Sequence, residues 1–312
     1  MPTVRRLLPL TFLLALLIAA PASASRSQSL TFEAPRDLMN AATRPAALAE
    51  METLGVHSLR VILTWSVVAP SPSSQTRPNF DPTNPDAYNW GEYDPLMAAA
   101  AARNWPVLLT ISGPVPKWAT KDHLDNLTRP SATAFAAFAT AVGRKYGRQV
   151  NTWAIWNEPN QPQFLRPQFG NGGKAISPGL YRSLYLAGVR GLTKAGQGKE
   201  RILLGETSPR GTGRVVAPLR FLRGTLCLSS KYKKQKKCNA LPASGYAHHA
   251  YTTRQGPFFK PANRDDVTIG VLSRLTTALD RARKAGALTK KLPIYLTEFG
   301  IQSTPDTQSG VS

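Results

Sequence analysis

Two glutamates carry the sharpest chemical signal in the sequence. Glu158 stands in Trp156-Asn157-Glu158-Pro159-Asn160, directly after the apolar run Val150 to Trp156, and Glu298 follows Ile294-Tyr295-Leu296-Thr297. A carboxylic acid opposite a carboxylate suits cleavage of a glycosidic C–O bond: one protonates the departing oxygen while the other attacks or stabilises the anomeric carbon. Facing carboxyls also split their proton affinities, so one holds a proton while its partner stays charged. A lone strand-end glutamate reads more simply as a surface acid beside a basic neighbour. Two of them, each with aromatic and amide neighbours at matching strand ends, favour chemistry.

Such acids can meet only if one sheet brings them together. Short apolar runs rich in β-branched residues alternate with helical patterns, which argues for parallel strands joined by crossover helices. The predicted strands are 30–32, 57–64, 106–112, 150–156, 201–205, 245–249 and 293–297. Predicted helices start at Thr43 with Pro45, at Asp94-Pro95, at Ser131 and at Asp265 or Asp266. The first carries Ala47, Leu48, Met51 and Leu54 and stops at Gly55; the third carries Phe135, Phe138, Val142 and Tyr146 and stops at Gly147; the last carries Leu272, Leu275, Leu279 and Ala282 and stops at Gly286. Repetition of this unit predicts an α/β fold of the (β/α)8 TIM-barrel type, and no Gly-rich dinucleotide turn follows the first strand. An eighth strand and helix find no room after Glu298, so the expectation is a barrel whose last unit is missing from this chain. The C-terminal strand ends of such a barrel form its active face, which would set Glu158 and Glu298 at one mouth.

With 312 residues, 42% hydrophobic and 18% charged, the chain can bury a sizeable core, which excludes disordered and collagen-like classes. The formal charge of +21 leans towards anionic surfaces without naming a function, and no nucleic-acid module is recognisable. Arg5 and Arg6, the apolar run Leu7 to Ala20 and the small residues Ala22-Ser23-Ala24 read as a secretory signal peptide over 1–24. That leaves 25–312 as the barrel domain, exported and without a membrane span. Export makes a Cys227–Cys238 disulfide the expectation, with two free thiols as the alternative; two cysteines alone build no zinc site. The lysine-rich stretch Lys231 to Lys237 between them reads as a solvated insertion or as a polyanion-binding hairpin.

The Trp156-Asn157-Glu158-Pro159-Asn160 string resembles the fourth-strand signature of the clan of retaining (β/α)8-barrel glycoside hydrolases that includes cellulase family 5 and β-xylosidase family 39. Leu296-Thr297-Glu298-Phe299-Gly300 resembles that clan's seventh-strand nucleophile motif. The resemblance implies Glu158 as general acid/base, Glu298 as nucleophile and Asn157 on the sugar 2-hydroxyl. It further implies Arg60 beside the nucleophile, and in His249-Ala250-Tyr251 an imidazole that supports the acid or contacts sugar and a phenol that contacts the nucleophile. Strand alternation sends His248 and His249 to opposite faces, so no two-histidine metal site is expected. Trp65 and Trp118 follow strands and could be either sugar-stacking platforms or core residues; Glu206 is a third acid on the mouth side. The expected activity is double-displacement hydrolysis of β-linked sugars without metal or organic cofactor, on a glycan or glycoside partner. The alternatives are a sugar-binding protein on the same barrel and a basic polyanion binder.

Overall fold

The computed structural model describes residues 30–301. The signal-peptide expectation therefore lies outside the described residues. Six strands, β1 (Leu59–Thr64), β2 (Val107–Ser112), β3 (Val150–Ile155), β4 (Arg201–Thr207), β5 (Gly245–His249) and β6 (Ile294–Glu298), form one sheet in chain order. Every neighbouring pair is parallel, and the sheet curls as an incomplete barrel. The predicted first strand survives only as a parallel bridge between Phe32 and Leu59, with Phe32 N donating to Ser58 O and Arg60 N to Phe32 O. One residue of ladder cannot make a strand, because Pro35 starts a helical turn three residues later.

Six longer helices accompany the strands, α1 (Arg44–Thr53) ahead of β1 and α2 (Asp94–Ala102), α3 (Ala132–Tyr146), α4 (Ser177–Lys194), α5 (Pro218–Thr225) and α6 (Ser273–Lys284) between successive strands. Ser131 caps α3 by accepting from Ala134 N, as its position before an apolar periodic run predicts. Three expectations need correction. Leu54 is exposed past the end of α1 instead of joining its apolar face. The last helix starts at Ser273, because Asp265 is held by Arg223 and Asp266 by the backbone N–H of Gly211. The longest helix, α4, is absent from the predicted set. Gly191 and Gly188 let α4 lie close on α3 and β3, since a Cβ at Gly191 would strike Ala136 O and one at Gly188 would come 2.7 Å from Ile155 Cδ1.

The sheet's two faces differ in kind. Val107, Leu109, Trp153, Ile155, Leu204 and Tyr246 face the helices and join the main core. Leu108, Ala154, Leu203 and Ala247 form a separate small cluster on the concave side, with Tyr295 against it. That parity fixes which residue types the strands deliver to the lumen. Cys227 and Cys238 are disulfide-bonded. No described helix is long and apolar enough to cross a membrane.

Candidate active site

Regular strand alternation delivers Arg60 and His249 to the lumen, but it would carry Glu206 and Glu298 elsewhere. On β6, His248 pairs with Leu296 and His249 with Glu298, so Thr297 is a surplus residue that turns Glu298 to the side of Tyr295. On β4 the register slips between Gly205 and Thr207, and Glu206 takes φ 51°. Gly205 there adopts φ 118°, where a side chain would collide with Ala247 O, and its N–H is satisfied by Tyr181 Oη at 2.7 Å. Past β3, Trp156 has φ 71° and Glu158 φ 38°. The first of these sends the buried indole into the helix layer against Phe135, its Nε1 donating to Phe164 O, and leaves Asn157 and Glu158 turned to the mouth. Positive φ at bulky residues is costly and concentrates at functional sites.

Arg60 is the electrostatic hub. Its side chain is 1% exposed, and its guanidinium donates to Glu298 Oε1 at 2.7 Å, Glu206 Oε2 at 2.6 Å, Asn157 Oδ1 at 3.0 Å and Glu33. Burial alone would lower the Arg60 pKa, but the charges of Glu206, Glu33 and Glu298 outweigh it and hold the group cationic. Burial would likewise push the fully enclosed Glu206 carboxyl up, yet Arg60 and His249 bring it down to about 2. Glu33 goes the other way: its desolvation exceeds what Arg60 supplies, and its pKa is raised.

His249 links the two catalytic candidates. Nδ1 lies 2.9 Å from Glu158 Oε1 and 3.4 Å from Glu298 Oε2, while Nε2 stands 3.8 Å from Glu206 Oε2, an ion-pair distance without a hydrogen bond. Burial opposes the imidazolium, but the surrounding carboxylates, Glu158 and Glu206 first, raise its pKa to about 9. The Tyr251 hydroxyl donates to Glu298 Oε2 at 3.1 Å, and burial together with the Glu298 charge keeps it protonated. Gln161 donates to Glu158 Oε2 at 2.9 Å. One ligand atom each from Glu158, His249 and Glu298 lie within 4.8 Å of one another, a donor set that could hold a cation but whose imidazole favours a proton. His248 faces away, bonded to Thr207 and Val267 O, and burial lowers it to about 4.

This proton sets an alkaline limit on stability. The folded pKa of His249 exceeds its ordinary 6.5, so the stabilisation is complete below about pH 6.5 and disappears as pH climbs through 9. Urea melts from pH 6 to 10 will show a loss of stability across that window, and His249→Asn will remove the slope. A wild-type profile that stays flat between those limits would contradict the charged imidazole.

Arg60, Asn157, Glu158, His249, Tyr251 and Glu298 thus converge, as their positions in the sequence suggested. Trp65 and Trp118 do not. Of the two readings open for them, core packing is correct: Trp65 is 1% exposed and stacks on Phe138 at 4.9 Å, and Trp118 packs edge-on against Trp65. The short helix Trp65–Val68 turns the indole away from the mouth at once. Glu206 is sealed beneath Arg60 and reaches no open space. Glu33 was overlooked, although it follows an apolar run just as the other acids do.

No protein-family model matches the sequence, and no curated protein matches it. Solved structures do share its fold. A glucosidase from Croceicoccus marinus aligns over 82% of this chain and 48% of its own, with 14% identity and a TM-score of 0.53. A family 39 glycoside hydrolase from the gut symbiont Bacteroides cellulosilyticus WH2 aligns over 89% of this chain and 50% of its own, with 17% identity and the same TM-score of 0.53. The chain therefore spans about half the length of the solved proteins it resembles, and at such identities the likeness is one of fold.

Proposed function

We propose that the chain carries the catalytic centre of an exported retaining glycosidase acting on β-linked sugars. The observation that carries this reading is the pairing of Glu158 and Glu298, with oxygens no more than 4.8 Å apart. Double displacement uses carboxyls roughly 5–5.5 Å apart, whereas inversion needs roughly 6.5–9.5 Å to admit a water. The partners fit the two roles. Glu298 accepts from Arg60 and Tyr251, which fix its carboxyl at the mouth for the nucleophile's role in this reading. Glu158, contacted by Gln161 at one oxygen and His249 at the other, takes the acid/base role in this reading.

In the first step the Glu298 oxygen bonds to the anomeric carbon, the glycosidic C–O bond breaks, and the leaving oxygen takes the proton from Glu158. In the second, Glu158 as carboxylate removes a proton from water, the water oxygen bonds to the anomeric carbon, and the ester to Glu298 breaks. Asn157 gives its Oδ1 to Arg60, which leaves its amide N–H free for the sugar 2-hydroxyl. The disulfide and the N-terminal apolar segment support export.

Incubation with dinitrophenyl 2-deoxy-2-fluoroglycosides of gluco, xylo, manno and galacto configuration will test the assignment, because the fluorine slows breakdown of the glycosyl ester. The expected result is one covalent sugar on the peptide containing Glu298. Turnover without an adduct, an adduct on another residue, or sugar binding with no reaction at all would overturn it.

A further inference from the structure

A second polar cleft, of about 700 Å³, opens beside the disulfide loop and shares no lining residue with the acid pair. Four arginines from three segments line it: Arg223 on α5, Arg264 ahead of α6, and Arg274 and Arg281 on α6. Its one lining carboxylate, Asp265, is consumed by a bidentate pair with Arg223 at 2.7 and 2.8 Å. Arg274 instead donates to the backbone carbonyls of Pro261, Asn263 and Asp266, which fixes its direction without a carboxylate hydrogen bond. Arg281 lies 4.2 Å over the Tyr232 ring, held there by a cation–π contact. Among the described residues no carboxylate pairs with Arg264, Arg274 or Arg281.

The disulfide loop is built onto this cleft. Cys227–Cys238 closes it, Leu228 bridges Lys234, and Lys234 Nζ donates to Gly286 O just past α6. Tyr232 is thereby set beneath Arg281, while Lys231, Lys233, Lys236 and Lys237 stay exposed on the same loop. Crowding like charges around one concavity destabilises the fold unless an anion fills it. Guanidinium forks held in advance by backbone and aromatic contacts lose little freedom on gripping an oxyanion.

We infer that this arginine-walled cleft binds a glycan chain bearing sulfate or carboxylate groups, separately from any hydrolysis at the acid pair. The lining favours a glycan over other polyanions. Its one aromatic face is occupied by Arg281, which leaves no platform for stacking a nucleobase. Its apolar members, Leu219 and Ala278, are buried and cannot insert into lipid. Ser230, Ser273 and Thr277 add hydroxyls suited to sugar hydroxyls.

Calorimetric titration at about 0.15 M salt, where long-range attraction is screened, provides the test. The probes are a heparin oligosaccharide, an oligogalacturonate, a thymidine oligonucleotide and phosphatidylglycerol vesicles. Arg264→Ala/Arg281→Ala will weaken binding of the sulfated or the carboxylated oligosaccharide by about tenfold or more, since each lost fork removes a charge-assisted hydrogen bond. Arg148→Ala/Lys199→Ala removes the same charge from exposed loops elsewhere and will change it by less than about twofold. The tighter of the two glycans identifies the oxyanion. Equal losses in both double variants, no binding of either glycan, or cleft-dependent binding of the oligonucleotide or vesicles in preference to both would overturn the inference.

Discussion

Glu298→Ala will lower kcat for an aryl β-glycoside by about 10⁴-fold or more, the scale seen when a covalent nucleophile is removed. The variant will fold, because the carboxylate is partly open at the mouth and Arg60 keeps Glu33 and Glu206 as partners. Sodium azide will restore part of the rate by entering the space the side chain leaves. The azide nitrogen then bonds to the anomeric carbon as the aryloxide departs, and the product is the α-glycosyl azide. In Glu158→Ala the order reverses: Glu298 still forms its ester, azide replaces water in the second step, and the β-glycosyl azide results. Proton NMR of the two products assigns the roles independently of rate. The same anomer from both variants, or hydrolysis undiminished in either, would defeat the assignment.

Arg60→Met will destabilise the fold by about 3–5 kcal/mol, because removing one member of a buried ion cluster strands the others. Glu206 is fully buried and would face only Thr110 and His249, with Glu33 and Glu298 close by. Pairing the change with Glu206→Gln will recover part of the loss, which makes the coupling visible in a double-mutant cycle of urea midpoints at constant m. Arg60→Lys will not substitute, since a single ammonium lacks the fork that reaches Asn157 and Glu206 through one nitrogen and Glu298 through the other. A loss below about 1 kcal/mol would mean that solvent reaches Glu206 and that the cluster is not the keystone its burial suggests.

The fold was legible where local rules act alone. Apolar runs located the six strands to within two residues at each end, and Ser131, Gly55 and Gly286 marked helix ends by the chemistry of capping. The glycines of α4 serve close helix packing, a role that depends on what lies opposite and that the sequence alone does not show. At the site, the rule that strand ends carry chemistry found Glu158 and Glu298, and the same rule applied to Phe32-Glu33 would have found Glu33. The path by which the acids reach the lumen was hidden. Alternation from Tyr295 points Glu298 towards the helices, and only the paired strand reveals that Thr297 is skipped. Trp65 and Trp118 were ambiguous because an indole after a strand serves a core or a sugar equally well, and the turn that follows decides. The arginine cleft was likewise invisible, since its members come together from separate segments.

Because Glu206 and Glu298 each reach the cavity through one irregular residue, the arrangement of carboxylates in this barrel is not inherited from its regular repeat. A substitution that favoured the regular register, with Thr297 opposite His249, would leave the ladder paired while rotating the carboxylate outward. Descendants of such a scaffold can therefore withdraw one carboxylate in one genetic step and keep a folded cavity, open to new use.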